Sequence, residues 1–361
     1  MEKSNIKLDT IICADVIETL KTFPDECIDV IFADPPYFMQ SDKKVLQRAD
    51  GTGAFKGCDD EWDKYADYEE YDGFSLAWLK ECKRVLKPNG TIWVIGSFQN
   101  IYRIGYIMQN LGFWILNDIV WSKTNPTPNM SGTRFCNAHE TMLWCAKSQN
   151  SKFTFNYKTM KHLNGDKQDR SIWNIGICQG NERLKDASGQ KLHTTQKPNA
   201  LLEKVILSST KPNDVILDPF FGTGTTGAIA KKYGRHFIGI EREEKYVSGA
   251  KQRIDLQQNQ SDDISNLSLE VKPPRVSIEK LIESHLLFKN ETLYDKNRQP
   301  TCTLLENGRV RLGENELSIH KASAKILNKD NHNGWDYFYV IRNDKLISIN
   351  ELRYVFKEKE I

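Results

Sequence analysis

Ile28-Asp29-Val30-Ile31-Phe32-Ala33-Asp34-Pro35-Pro36-Tyr37 is a short apolar run that ends on a carboxylate and is then locked by two prolines. A run of this length, bounded by a turn signal, reads as a strand buried on both faces. The prolines fix φ and remove two N–H donors, so the carbonyls around them stay available as acceptors. The same texture recurs along the chain. Residues 74–87 have helical periodicity and stop at Pro88-Asn89-Gly90, a strong turn signal, and 91–96 reads as another buried strand. Residues 215–218 and 237–241 read as two more, separated by the helix-like stretch 225–233. Strands alternating with helices predict an α/β fold, a doubly wound and mostly parallel sheet covered on both faces. The runs 114–121 and 141–146 lack a comparable helix between them and are expected to pair antiparallel at one edge of that sheet.

After Ile254 the texture changes to a polar stretch, which divides the 361 residues into an expected catalytic domain over 1–258, a linker over 259–272 and a small α+β domain over 273–361. Hydrophobic residues at 39% and charged residues at 27% suit a folded globular chain and exclude a disordered one. The eight cysteines show no Cys-x-x-Cys pair and no clustering with histidine, so neither a zinc site nor a disulfide scaffold is expected, and no metal. Met1 to Asn5 are polar and no apolar run approaches the ~20 residues of a membrane span, so the expected location is cytoplasmic. With a net charge of +2, any nucleic-acid face must come from local clustering.

Two stretches carry chemistry. Residues 217–224, Leu-Asp-Pro-Phe-Phe-Gly-Thr-Gly, sit at a strand end and open a helix, where glycines permit a tight turn and close backbone approach to a ligand. With Gly227 they formally complete Gly-x-Gly-x-x-Gly, so an NAD-dependent oxidoreductase is one reading. Asp218 before the loop and Glu241 at the next strand's tip suit a ribose-bearing cofactor, since an acid there can accept from both ribose hydroxyls. At the other stretch, Asp34 and a backbone carbonyl can both accept from an amino group on an aromatic base. Such a group is a poor nucleophile until its delocalised lone pair is freed. Tyr37 offers a flat face for stacking a base that has left the duplex. No Pro-Cys dipeptide occurs as a candidate cytosine-C5 nucleophile.

With these motifs the chain resembles the amino-group DNA methyltransferases in their circularly permuted, Rossmann-like "beta" arrangement, in which the catalytic tetrapeptide precedes the cofactor loop. It is most similar to the GANTC-methylating adenine enzymes, the cell-cycle-regulated DNA adenine methyltransferases and the Hinf-type modification enzymes. Matching stretches are Asp59 to Asp63, Trp93 to Ser97, Trp114 to Asp118, Asn137-Ala138-His139-Glu140, Ser318 to Lys321 and Asn333-Gly334-Trp335. The resemblance implies S-adenosylmethionine as cofactor and methyl transfer to adenine N6 in duplex DNA, by base flipping and direct transfer. It implies Asp34, Pro35, Pro36 and Tyr37 as the catalytic tetrapeptide, with Asp34 also beside the cofactor. Asp218, Phe220, Gly222 and Gly224 would line the methionine part, with Thr223 and Thr225 nearby, Glu241 at the ribose and Asp15 at the adenine amino group. Lys197 and Pro198 belong to His193-Thr194-Thr195-Gln196-Lys197-Pro198, where Thr194 stands in place of the family's proline. A homodimer on DNA is implied, and the enzyme would be solitary or accompanied by a cognate restriction endonuclease.

For DNA contacts, the loop 38–68 offers Met39, Gln40 and Arg48. Lys123 and Arg134 would meet phosphates and Asn125 a base edge. Ser318, His320, Asn333 and Trp335 match a C-terminal domain that contributes to DNA binding in related enzymes. The main alternative is a cytosine-N4 methyltransferase, a group that more often carries serine where Asp34 stands. The oxidoreductase reading leaves Asp34 to Tyr37 unexplained.

Overall fold

The computed structural model describes residues 6–39, 45–47, 54–56, 63–129, 132–259 and 274–359. The chain forms two compact units, Met1–Glu270 and Val271–Ile361. Most of the expected linker lies outside the described residues.

In the first unit the strands are β1 (Thr10–Cys13), β2 (Ile28–Ala33), β3 (Val45–Gln47), β4 (Ala54–Lys56), β5 (Leu86–Gly96), β6 (Trp114–Lys123), β7 (His139–Ala146), β8 (Ile172–Ile175), β9 (Val215–Asp218) and β10 (His236–Glu241). Eight of them form one sheet in the order β1-β10-β9-β2-β5-β7-β6-β8, and β3 pairs with β4 alone. The links from β1 through β5 are parallel, β7 is antiparallel to both β5 and β6, and β8 runs parallel to β6.

Alternation along the strands explains why both faces are apolar. Ile31 and Ala33 of β2 face a core with Val16 and Leu20 of α1 (Val16–Lys21), Trp78 of α2 (Tyr68–Val85) and Ile104 of α3 (Ile101–Asn110). Val30 and Phe32 face the opposite core, shared with Met160 of α4 (Tyr157–Leu163), Leu202 of α5 (Asn199–Ser209), Ala228 of α6 (Thr225–Lys232) and Ile254 of α7 (Glu244–Leu256). Near its edge that core holds Trp93 stacked on Trp144, with ring centroids 4.9 Å apart.

Two expectations need correction. The helix ends at Val85, and Pro88-Asn89-Gly90 lies inside β5 rather than between elements. Ile28 pairs with Leu86 and Val30 with Thr91, so the irregularity absorbs the extra residues within the strand. Lys87 then reaches Asp29 at 2.7 Å. The antiparallel pair exists as β6 and β7, but β8 lies outside it and forms the sheet edge.

The second unit is a separate antiparallel sheet with its own core. Its strands are β11 (Thr292–Tyr294), β12 (Pro300–Leu304), β13 (Val310–Leu312), β14 (Asn315–Leu317), β15 (Tyr339–Arg342) and β16 (Lys345–Ser348), ordered β14-β13-β12-β11-β15-β16. Asn343 and Asp344, both at positive φ, make the two-residue turn from β15 to β16. Leu281 of α8 (Ile278–Glu283), Ile319 of α9 (Ile319–Ile326) and Ile349 of α10 (Ile349–Lys359) pack with Leu304, Val310 and Phe338.

Close packing over β10 carries the glycine loop, because Phe221 lies directly against Gly239. A Cβ at Gly239 would fall 2.4 Å from the Phe221 ring. Gly239→Ala is therefore expected to destabilise the protein by ~1–3 kcal/mol, read as a lowered urea midpoint with unchanged slope.

Candidate active site

The parallel register brings four acids to one edge. Glu241 ends β10, Asp218 ends β9, Asp34 follows β2 and Asp15 follows β1, and these four strands are neighbours in the sheet. All four acids line a solvent-open cleft of about 1170 Å³, as do Pro35, Tyr37, Met39, Lys197, Phe220, Gly222, Thr223 and Thr225. Crevices outside the carboxyl ends of parallel strands are where open α/β sheets bind ligands.

The glycine loop is held by its own side chains. Gly222, at φ +50, donates its N–H to Glu241 Oε2 at 2.7 Å, and Glu243 N–H donates to Oε1 at 2.9 Å. Gly224 donates its N–H to the Phe221 carbonyl. At φ +74 a Cβ there would come 2.7 Å from the Ala250 Cβ, so this glycine serves packing and does not line the cleft. Pro198 also lies off the cleft, at the N-cap of α5, where it sets the exit of Lys197. Carboxylates crowd the cleft, and the Gly222 and Gly224 N–H groups are spent inside the protein, so negative charge is poorly received here. That disfavours the dinucleotide reading. A cofactor with positive charge and a ribose fits the donor set.

Electrostatics follow the same geometry. Burial pushes the Asp218 carboxyl up to about 7, against donation from Thr226 Oγ1 at 2.5 Å and Phe220 N–H at 3.0 Å, and the charges of Asp34 and Glu241 push the same way. Glu241 is raised by burial too. Asp15 is exposed and caps α1 through one oxygen, accepting from Ile17 and Glu18 N–H.

The tetrapeptide is braced from behind. Tyr71 donates its hydroxyl to the Pro36 carbonyl at 2.9 Å, with the Asn100 amide at 3.5 Å. Among the described residues nothing donates to the Pro35 carbonyl, which leaves it beside Asp34 as the available backbone acceptor. The chain then turns through Phe38 at φ +51, an αL conformation that is costly for a bulky residue. Asp63 holds it there. Its carboxylate accepts from the N–H groups of Tyr37 at 2.6 Å, Phe38 at 2.7 Å and Met39 at 2.9 Å.

Asp34 itself is enclosed by charge. Tyr37 donates its hydroxyl to Asp34 Oδ1 at 2.8 Å, and Lys197 Nζ lies 2.7 Å from Oδ2. Glu140, at the start of β7, is 3.1 Å from the Tyr37 hydroxyl and 2.6 Å from Lys123 Nζ. Side-chain exposures of 7% for Lys197, 13% for Glu140, 15% for Lys123 and 18% for Asp34 make this a largely desolvated cluster. Burial raises Asp34 above the usual carboxylate range although Lys197 opposes it. For Glu140 burial pulls upward, but Lys197 and Lys123 together hold it below that range. Lys197 is kept above the ordinary lysine value by Asp34 and Glu140, which overcome its burial.

The His193 to Pro198 segment enters the cleft with its own ties. His193 Nδ1 accepts the Thr195 N–H at 3.1 Å across Thr194, a local bond where proline rigidity is missing. Gln196 accepts from Leu184 N–H and donates to the Glu182 carbonyl.

The proposed DNA contacts fall in different settings. Met39 lines the cleft, Arg134 is exposed over the Phe98 ring, and Gln40 and Arg48 lie outside the described residues. Lys123 is engaged with Glu140, and Asn125 Oδ1 accepts the Ile177 N–H. In the second unit Ser318 caps α9, His320 Nδ1 accepts the Gly334 N–H, and Asn333 bonds Asp336. Trp335 packs on that unit's core with Arg353 over its ring. Sequence reasoning assigned no role to Asp63 or Glu140. Both stand in stretches that carried the resemblance, but neither is adjacent to the tetrapeptide.

Residues 28–252 match the model of the DNA methylase family. The chain belongs to that family. It is 62% identical to the type II methyltransferase M.HinfI of Haemophilus influenzae over 99% of both chains, which makes it a Hinf-type DNA methyltransferase. It is also 43% identical to the type II methyltransferase M2.LlaDCHI of Lactococcus lactis subsp. cremoris, over 70% of this chain and 91% of that one. Among solved structures, the cytosine-N4-specific PvuII DNA methyltransferase shares the fold at TM-score 0.53 and 23% identity, over 72% of this methylase and 90% of its own chain.

Asp63→Ala removes the acceptor for three successive N–H groups. We expect this methylase variant to lose at least ~1–3 kcal/mol of local stability around Phe38, measured as faster amide hydrogen exchange at residues 37–39.

Proposed function

We propose that this methyltransferase transfers a methyl group to the N6 amino group of adenine in duplex DNA, at GANTC, with the target base turned out of the helix. The observation that carries this is Asp34, a carboxylate lining a cleft of acids beside the Pro35 carbonyl, to which nothing donates among the described residues. Both oxygens can accept from one exocyclic NH₂, which draws the nitrogen toward tetrahedral geometry and frees its lone pair. The Tyr37 ring offers the apolar contact a flipped base needs. GANTC is supported by the 62% identity to M.HinfI along the whole chain, including the second unit.

The cofactor is S-adenosylmethionine, held by Asp218, Phe220, Gly222, Thr223, Thr225 and Glu241, with Asp15 at the far end of the row. It supplies an electrophilic methyl group. Glu241, fixed by two backbone N–H groups, accepts from the ribose hydroxyls. Asp218 adds negative potential that favours a cationic ligand. The second unit, residues 271–361, adds DNA contacts, and a homodimer on DNA and a cognate endonuclease belong to the same reading. The cytosine-N4 alternative shares the fold, as the PvuII enzyme illustrates.

Asp34→Ala is expected to abolish methyl transfer, by ~10³-fold or more, while binding of S-adenosylmethionine by calorimetry persists. Mass spectrometry of nucleosides from DNA methylated by the wild-type protein should give N6-methyladenine, and N4-methylcytosine would overturn the base assignment. A pH dependence follows from Asp218. Its carboxyl ionises near 7, and a cation binds the ionised form more tightly. Affinity for S-adenosylmethionine should therefore fall as pH drops from about 8 to about 6, and Asp218→Asn should flatten that slope.

A further inference from the structure

Both oxygens of Asp34 are occupied in the folded protein, Oδ1 by the Tyr37 hydroxyl and Oδ2 by Lys197 Nζ. Each oxygen has room for a second donor, but a substrate amino group would share it with a strong donor already in place. The same two donors share a second acceptor, because Glu140 Oε2 lies 3.1 Å from the Tyr37 hydroxyl and 3.9 Å from Lys197 Nζ. Its other oxygen is held by Lys123 at 2.6 Å. A hydroxyl has one hydrogen, so Tyr37 serves Asp34 or Glu140 at any instant, and the lysine ammonium can lean either way.

We propose that Glu140 is a positioning residue, anchored by Lys123, that takes over the Tyr37 hydrogen and the Lys197 ammonium as the target base arrives, freeing Asp34 to accept from the base's amino group. This rests on the amino-methylation reading above and holds for either base.

The charged surroundings support it. Glu140 faces Lys123 from β6, Lys197 from the segment before α5, and Asp34 and Tyr37 from the end of β2, while Asp218 at the end of β9 bears on Lys197. With burial opposed by two lysines, Glu140 stays ionised at neutral pH, and its charge is one cause of the raised Asp34 carboxyl. Removing that charge has two consequences. Asp34 ionises at lower pH, yet Tyr37 and Lys197 lose their charged alternative, an amide oxygen being the weaker acceptor, and stay on it. The first effect follows from charge alone, whereas the second, a lower plateau rate once Asp34 is fully ionised, is one that bracing would not produce.

The test uses the full chain with single-turnover methylation of a GANTC duplex across pH. Glu140→Gln is expected to lower the plateau rate by roughly tenfold or more and to move the acid limb to lower pH. Dissociation constants for S-adenosylmethionine and duplex should stay within about threefold of wild type. Glu140→Asp should restore part of the rate. Tyr37→Phe, which removes a donor from Asp34, should move the acid limb to higher pH. Carboxyl-carbon NMR titration of the ligand-free protein, with the Asp34 signal assigned through Asp34→Asn, reads the same shift without catalysis. An unchanged Asp34 titration in Glu140→Gln, or a rate loss matched by loss of folded protein, overturns the proposal. If that variant does not fold, Lys123→Met, which releases Glu140, carries the same readouts, and an unshifted acid limb there overturns it. Activity surviving in Asp34→Ala would instead sink the amino-group reading, while the titration still decides the role of Glu140.

Discussion

The ion pair between Lys197 and Asp34 is what lets the rest of the site exist. Parallel pairing of β1, β10, β9 and β2 forces their C-terminal ends to one edge, and Asp15, Glu241, Asp218 and Asp34 are carried there together. Ionised carboxylates gathered in a partly desolvated cleft repel each other, and burial alone would neutralise them. Each is offset differently. Asp15 sits at the N-terminus of α1, Glu241 on two backbone N–H groups, and Asp218 on Thr226 and Phe220. Among the described residues no backbone N–H donates to the Asp34 carboxylate, which depends on side chains, chiefly a lysine brought from 163 residues away.

Such a pair is costly to desolvate, and a lone pair of this kind contributes little to stability. Here it is one part of a balanced set, in which two acids, Asp34 and Glu140, meet two lysines, Lys197 and Lys123. Placement of the set requires a rigid backbone, which explains the bracing around the tetrapeptide. Tyr71 and Asn100 fix the Pro36 carbonyl, and Asp63 locks the strained turn at Phe38. The Phe38 ring is in turn stacked on Tyr71 at 5.8 Å, so the turn and the brace are one packed unit.

Much of this was legible in the sequence. The apolar run ending at Asp34, the alternation of strand and helix, and the glycine loop between Asp218 and Glu241 are local patterns, and local patterns report local structure. What was not legible is long-range. Asp63 and Glu140 act across 26 and 103 residues from Tyr37, and no periodicity links them. Pro88-Asn89-Gly90 misled because turn chemistry was overridden by pairing with β2. Polar side chains also read ambiguously. Asn125, Ser318, His320 and Asn333 look like DNA contacts in sequence, and each makes an internal hydrogen bond in the structure. That bond does not forbid a second partner on their other atoms, but it fixes which atoms remain.

The charge balance also bears on why an acid stands at position 34. With aspartate there, the two lysines and two carboxylates sum to neutrality in a cluster that excludes most water. With serine, Lys197 and Lys123 would face Glu140 alone, leaving an uncompensated positive charge against Tyr37 and the acceptor carbonyl. Net positive potential there would lower the basicity of the acceptors around the amino group. The surrounding residues are thus matched to a carboxylate, and a neutral acceptor at position 34 would leave one lysine charge unbalanced in the cluster.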